Sequence, residues 1–187
     1  CACSPKGPDM SITIDHAGRA ALVTGAGAGI GREVARWLAR AGAAVAVNDI
    51  RAENAAAVVA EIEAEGGRAI PVVADCRDDD AVDVMVATVV DELGSIDIAV
   101  NNIGMIPRGR NPRPFVQYRG DDWRDIIDQN LTLAALCGRA EAEAMAAADG
   151  GVILFVTSGE TTRPSPYNSI YAAAKSAVNH LVTSLAV

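Results

Sequence analysis

Short apolar runs alternate with stretches of helical periodicity along most of the chain. Ala20 to Thr24 is a run of small and aliphatic residues, and glycines follow it at once. Ile30, Val34, Trp37, Leu38 and Ala41 then recur at helical spacing. Ala44 to Val47 reads as a second buried strand, closed by Asn48 and Asp49. An Ala-rich helix over 52–65 stops at Gly66-Gly67. Ile70 to Ala74 is a third strand, 79–93 a helix ending at Gly94, and Ile96 to Val100 a fourth strand. The segment 104–120 has Gly, Pro and Arg without a period and reads as a loop. A long helix over about 121–147 opens on Asp121 and Asp122, two carboxylates at its positive end. Val152 to Val156 is a fifth strand. A loop with Pro164 and Pro166 precedes a last helix, which starts near Ser169 and has no stop signal at Val187.

Strands written as continuous apolar runs and alternating with helices predict a parallel sheet covered on both faces, hence an α/β fold. Residues 1–18, with Pro5, Gly7 and Pro8, read as a loose leader, and 19–187 as a single domain. No internal repeat and no low-complexity linker interrupts it.

Half of the 187 residues are hydrophobic and 21% are charged, too apolar a balance for a disordered chain. Aromatics are only 4%, so the core is built from small and aliphatic side chains. The net charge of -8 and the lack of a basic stripe argue against a nucleic-acid partner. No apolar stretch is long enough for a membrane span. Cys1, Cys3, Cys76 and Cys137 form no C-x-x-C pair, and His16 and His180 lie far apart, so no metal site is expected. Scattered cysteines and the absence of a signal-peptide pattern suggest reduced thiols and a cytoplasmic protein.

Thr24-Gly25-Ala26-Gly27-Ala28-Gly29-Ile30-Gly31 lies between a strand and a helix. Glycines there let the backbone approach a pyrophosphate, which a helix N-terminus stabilises. The standard G-x-G-x-x-G spacing does not fit; G-x-x-x-G-x-G does, from Gly25, Gly29 and Gly31. Asp49 ends the second strand about 20 residues on, where a carboxylate accepts from ribose hydroxyls and repels a 2′-phosphate. This favours NAD over NADP, with Arg51 and Arg32 close enough in sequence to soften the preference.

Tyr171 and Lys175 are four residues apart at the start of the last helix and share a face. A cation about 5 Å from a phenol, at an effective dielectric of about 20, is worth roughly 3 kcal/mol. That is on the order of two pKa units, enough to bring a phenol toward neutral pH. Ser158 follows the fifth strand and Asn101-Asn102-Ile103-Gly104 the fourth, both at the carboxyl edge where open α/β sheets bind ligands. Asn130 sits inside the long helix, where Asn is not favoured and wants a reason.

Taken together, TGAGAGIG, Asp49, Asp75, NNIG, Asn130, Ser158 and YAAAK resemble the short-chain dehydrogenase/reductase family in order and spacing, over nearly all of 19–187. The resemblance implies a Rossmann-like doubly wound sheet of order 3-2-1-4-5, with the family's last strands missing. It implies an NAD-dependent oxidoreductase that interconverts a secondary alcohol and a ketone. Tyr171 would be the acid/base, Lys175 its pKa-lowering partner and the holder of the nicotinamide ribose. Ser158 would bond the reacting oxygen, and Asn130 would support a water-linked relay to Lys175. Gly25, Gly29, Ile30, Gly31 and Gly104 would line the cofactor. Asp49 would take the ribose, Asp75 the adenine amino group, and Asn101 would lie along the adenosine side. The full-length protein would be a homodimer or homotetramer acting on a small alcohol or carbonyl compound.

Two features depart from the family's pattern. Ile103 stands where NNAG is usual, a bulkier side chain beside the cofactor. The family also continues beyond the catalytic helix into segments that complete the substrate pocket. A second reading follows: a dinucleotide-binding protein without turnover, whether a sensor or an inactive truncated product. The complete Tyr-Lys-Ser-Asn set argues against loss of catalysis by residue change, whereas truncation argues for an inactive chain.

Overall fold

A computed structural model describes residues 14–107 and 109–186; the segment 1–13, most of the expected leader, lies outside the described residues. Five strands form one sheet: β1 (Ala20–Thr24), β2 (Ala44–Asp49), β3 (Arg68–Val73), β4 (Ile98–Asn101) and β5 (Val152–Phe155). All are parallel, in the order β3-β2-β1-β4-β5, the order the resemblance implied. The helices are α1 (Gly29–Arg40), α2 (Ala52–Ala64), α3 (Asp79–Leu93), α4 (Gly120–Ile127), α5 (Leu133–Ala146) and α6 (Ser169–Leu185). Pro71 lies in β3, where an edge position tolerates a missing N–H.

Alternation along the strands divides the core into two layers. Ala21, Val23, Val45, Val47, Ile98 and Val100 pack on one face, with Ala35 and Ala39 of α1 and Val58 and Ile62 of α2. Leu22, Ala46 and Ala99 point to the other face, with Val82, Met85 and Val89 of α3 and Leu133 and Cys137 of α5. Leu22 is fully buried in the central strand, and Leu22→Ala would cost about 2–5 kcal/mol. On β5, the edge strand, Ile153 and Phe155 pack inward while Val152 and Leu154 remain exposed.

The ends of α3 follow from local chemistry. Asp78 caps it by accepting from the Ala81 N–H at 3.1 Å, and Gly94 ends it with φ of 92°.

Two expectations change. The buried residues of α1 are Gly31, Ala35 and Ala39, whereas Ile30 and Trp37 are exposed; the Arg40 guanidinium lies over the Trp37 ring. Val34 and Leu38 of the expected stripe pack against this core and are partly buried, while the fully buried positions of α1 are glycine and alanine. The long helix expected over 121–147 is also not continuous in type. Asp128–Thr132 forms a π-helical turn between α4 and α5, and Asn130 lies in it. Such wide turns free backbone carbonyls and often mark functional sites.

Candidate active site

The site lies along the carboxyl ends of the strands. β1 runs into a turn in which Gly25 has φ of 60° and Gly29 has φ of 57°, left-handed values that favour glycine. A Cβ on Gly31 would stand 2.5 Å from the Gly25 carbonyl oxygen and 2.6 Å from Asn102 Nδ2, so the first turn of α1 can seat there only without a side chain. The loop is held from behind by Asn48, which is fully buried. Its Oδ1 accepts from the Gly25 N–H at 3.3 Å, and its Nδ2 donates to the carbonyls of Val72 and Ala74. One amide thus fastens the ends of β1, β2 and β3 together.

Asp49 meets this loop from β2. Its Oδ1 accepts from the Arg51 N–H at 3.0 Å, while Oδ2 crowds the place where a Gly27 side chain would begin. Arg51 lies 4.0 Å from the carboxylate. Arg32 is committed elsewhere, to Glu33 and to Glu61, the latter at 2.7 Å.

The Asn-Asn-Ile-Gly turn at the end of β4 joins the glycine loop to Lys175 and Asn130. Asn101 turns its amide away from the open edge, donating to Glu141 Oε2 at 2.6 Å inside the core. Asn102 donates to the carbonyls of Thr24 and Gly25 at 3.3 and 3.2 Å. Ile103 approaches within 2.9 Å of the point where a Gly25 side chain would begin, so its extra bulk is accommodated by the missing Cβ. A Cβ on Gly104 would stand 2.9 Å from Lys175 Cε and 3.0 Å from Asn130 Oδ1. Lys175 and Asn130 therefore converge on Gly104.

Asn130 is fully buried, and its Nδ2 donates to the carbonyls of Met105 and Ile126 at 2.9 and 2.8 Å. Its Oδ1 is buried without a partner. Lys175 is 2% exposed; its Nζ donates to the Val156 carbonyl at 2.9 Å and, at 3.5 Å, to that of Ile103. Burial lowers its pKa below that of a free lysine. An ammonium has three N–H donors, so one remains for a further acceptor. Tyr171, one turn earlier on α6, packs against the cluster of Tyr118, Ile126 and Ile170. Ser158 Oγ accepts from the Glu160 N–H at 3.2 Å, which leaves the hydroxyl hydrogen free to turn outward.

Asp75 pairs with Arg77 at 2.6 Å, and that guanidinium lowers its pKa. Both line an open cavity of about 740 Å³ with Asp78, Pro107, Asp125 and Thr132. The loop between β4 and α4 is anchored by Asp122, which is buried and accepts from Arg110 at 3.0 Å, Arg113 at 2.8 Å and the Arg119 N–H at 2.8 Å. Tyr118 Oη donates to the Tyr167 carbonyl at 2.7 Å and joins this loop to the one before α6.

These residues suit a nicotinamide dinucleotide. The backbone cradle at Gly27 and Gly31 has no room for a side chain, and a carboxylate oxygen, a lysine N–H and an orphaned amide oxygen lie along the same edge.

The family model described as short chain dehydrogenase matches residues 19–187. The chain belongs to the short-chain dehydrogenase family. It is 37% identical over 169 residues to the 7alpha-hydroxysteroid dehydrogenase of Escherichia coli K12, covering 90% of this chain and 64% of that protein. It is 40% identical over 159 residues to the 3-oxoacyl-[acyl-carrier-protein] reductase of Synechocystis sp. PCC 6803, covering 84% of this chain and 63% of that one. Among solved structures it is similar to a 7alpha-hydroxysteroid dehydrogenase complexed with NADH and 7-oxo glycochenodeoxycholic acid. The TM-score is 0.84 and the identity 35%, over 90% of this chain and 64% of the other. The chain spans between 54% and 66% of the length of the curated relatives it matches.

In this family member Gly25, Gly29, Asp49, Asp75, Gly104 and Ser158 lie at the carboxyl ends of the strands, and Asn130 and Lys175 come together at Gly104. The Asn101 side chain, expected along the adenosine side, is directed instead into the core, where it donates to Glu141. Asn102 and Gly27 lie inside the two sequence motifs without a role of their own, and Asn48 lies outside both, although all three shape the loop. The signal for Asn48 is a polar residue near the end of an otherwise apolar strand, which the fold buries.

Proposed function

We propose that the chain forms the dinucleotide-binding and catalytic part of an NAD-dependent oxidoreductase that interconverts a secondary alcohol and a ketone. The observation that carries this reading is the convergence of Lys175 and Asn130 on Gly104, with Tyr171 one turn from Lys175. A dehydrogenase and a reductase among the relatives, and the NADH in a similar solved structure, support it.

The residues have separable tasks. The turn Gly25–Gly31 and the N-terminus of α1 hold the pyrophosphate, and Asp49 Oδ2 accepts from the adenosine ribose. The remaining N–H of Lys175 takes the nicotinamide ribose. When bound, the dinucleotide supplies the hydride donor or acceptor. Ser158 donates its hydroxyl hydrogen to the reacting oxygen, and Tyr171 Oη exchanges a proton with that oxygen. Lys175, bonded to two carbonyls, stands as a cation one turn along α6 from Tyr171. Asn130 Oδ1 is the acceptor that a relay water needs. The full-length protein is a homo-oligomer in this account, with Asp49 favouring NAD over NADP.

The reading is tested by supplying the full-length protein with a panel of secondary alcohols and either NAD or NADP, and following reduced cofactor by absorbance. Turnover with NAD exceeding that with NADP is expected. Cofactor binding with no turnover on any alcohol or ketone would instead favour the non-catalytic reading.

A further inference from the structure

Glu141 has no place in the chemistry above, yet it is the most deeply buried carboxyl group of the described residues, 0% exposed on the inner face of α5. Asn101 Nδ2 donates to its Oε2 at 2.6 Å. Two oxygens of this pair, Glu141 Oε1 and Asn101 Oδ1, are buried without a partner. Both are acceptors if Glu141 is ionised. A single proton on Oε1 removes both deficits, because a carboxylic acid and a primary amide join through two parallel hydrogen bonds, N–H to carbonyl and O–H to carbonyl.

We propose that Glu141 is a positioning residue, held as a neutral carboxylic acid and bonded at two points to Asn101, which locks the Asn-Asn-Ile-Gly turn against α5. Loss of that proton to solvent leaves a buried anion facing the Asn101 carbonyl oxygen and loosens the turn. The consequence for the cofactor rests on the function proposed above; the protonation state does not.

No cation counters the group. Among the described residues, no lysine, arginine or histidine nitrogen lies within 4.0 Å of it. On α5 itself, Arg139 turns outward to Asp79 and Asp83 of α3 and to Glu143. The titratable groups buried on this side are the thiols of Cys137, on α5, and Cys76, after β3. The Cys137 thiol is pushed far up by its neighbour Cys76 and by burial, so it stays neutral. From α6, Lys175 directs its ammonium at the carbonyls of Val156 and Ile103, and His180 is exposed. In the π turn, Asp128 is exposed. β4 and β5 contribute no ionisable side chain. Burial pushes the Glu141 carboxyl up to about 8, in agreement with the geometry.

Asn101 is the link to the site. The next three residues bond the phosphate loop through Asn102, offer a carbonyl to Lys175 at Ile103, and bring Gly104 against Lys175 and Asn130. A shift of Asn101 displaces them together.

The test compares the parent with Glu141→Gln, whose amide can pair with Asn101 in the same two-point way but cannot ionise. The Glu141 carboxyl carbon, assigned by its loss in the variant, is followed by carbon-13 NMR from pH 4 to 10. Thermal unfolding and NADH affinity are measured over the same range. The carboxyl resonance should titrate near neutral or alkaline pH. The unfolding constant of the parent relative to the variant should rise by about tenfold per pH unit between the ordinary carboxylate range and the folded titration point. NADH affinity should fall with rising pH in the parent more than in the variant. A carboxyl that titrates in the ordinary range, or parent and variant stability curves that run parallel, would overturn the protonation claim. A titration near neutrality with parallel NADH curves would overturn the positioning role. Absence of NADH binding at every pH would refute the functional reading and the cofactor consequence, while the NMR titration still decides the state of Glu141.

Discussion

Lys175 Nζ donates to the backbone carbonyl of Val156 at 2.9 Å, across the gap between α6 and the end of β5. The bond fixes a buried ammonium at the sheet edge before any ligand is considered. It also explains how the cation survives burial: carbonyl oxygens replace part of the water it has lost. Lys175→Met keeps the length and removes every donor. NADH affinity should then fall by about tenfold or more, the scale of a hydrogen bond to a charged group. Turnover should fall further, because Tyr171 loses its cation as well. Fluorescence titration and steady-state kinetics separate the two effects; a loss in binding alone would remove Lys175 from the chemistry.

Gly104 has φ of 148°, and its missing side chain is what lets Lys175 and Asn130 converge. Gly94 also has positive φ, of 92°, but nothing lies within 4 Å of its notional Cβ. Replacing each by Ala separates backbone strain from the site. Both variants should lose about 1–3 kcal/mol in chemical denaturation. Only Gly104→Ala should also weaken NADH binding. Equal NADH affinity in the two variants would contradict the convergence.

The proposed preference for NAD rests on Asp49. With Arg32 held by Glu33 and Glu61, Arg51 is left as the cation beside the Asp49 carboxylate, at 4.0 Å. Asp49→Ser should weaken NADH and strengthen NADPH, narrowing their ratio of dissociation constants by about tenfold or more. Titration of both nucleotides against parent and variant checks it. Tighter NADPH than NADH binding in the parent would show that Asp49 does not set the preference.

The loop 104–119 has its own titratable anchor. The Arg119 N–H foremost, then Arg113 and Arg110, hold the Asp122 carboxyl below the usual carboxylate range. A depressed folded value means stability that is present above the unfolded pKa and lost as pH falls through the folded one. Asp122→Asn should therefore unfold at lower temperature than the parent at neutral pH, and the gap should close as the pH falls below about 4. A gap that stays constant on acidification would mean that the ion pairs do not stabilise the loop.

Much of this architecture was legible in the hydrophobic pattern. α3 runs from Asp79 to Leu93, the span that helical spacing and the terminal Gly94 marked in the sequence. The inner strands β1 and β4 were readable because they are buried on both faces and carry almost no polar position, whereas the edge strands β3 and β5 expose alternate residues and were marked by their apolar runs alone. The π turn was not legible. A widened turn keeps helical spacing to within one residue, and Asn130 alone marked it. The stripe on α1 was half right: Val34 and Leu38 pack against the core, but Ile30 and Trp37 lie at its margin and are exposed, because the face that meets the sheet is centred on Gly31, Ala35 and Ala39. Glu141 was hidden most completely. In the run AEAEAM an alternating Glu reads as a solvated surface, and only tertiary packing shows that Glu141 is enclosed and Glu143 is not.

The central claim is that Tyr171 Oη carries the proton. Tyr171→Phe removes one oxygen from a residue packed against Tyr118, Ile126 and Ile170, so the fold and NADH binding should survive. Measured in the full-length protein, turnover of a secondary alcohol with NAD should drop by about 10² or more, while the NADH dissociation constant stays close to that of the parent. Turnover in Tyr171→Phe equal to that of the parent, with NADH still bound, would contradict the account.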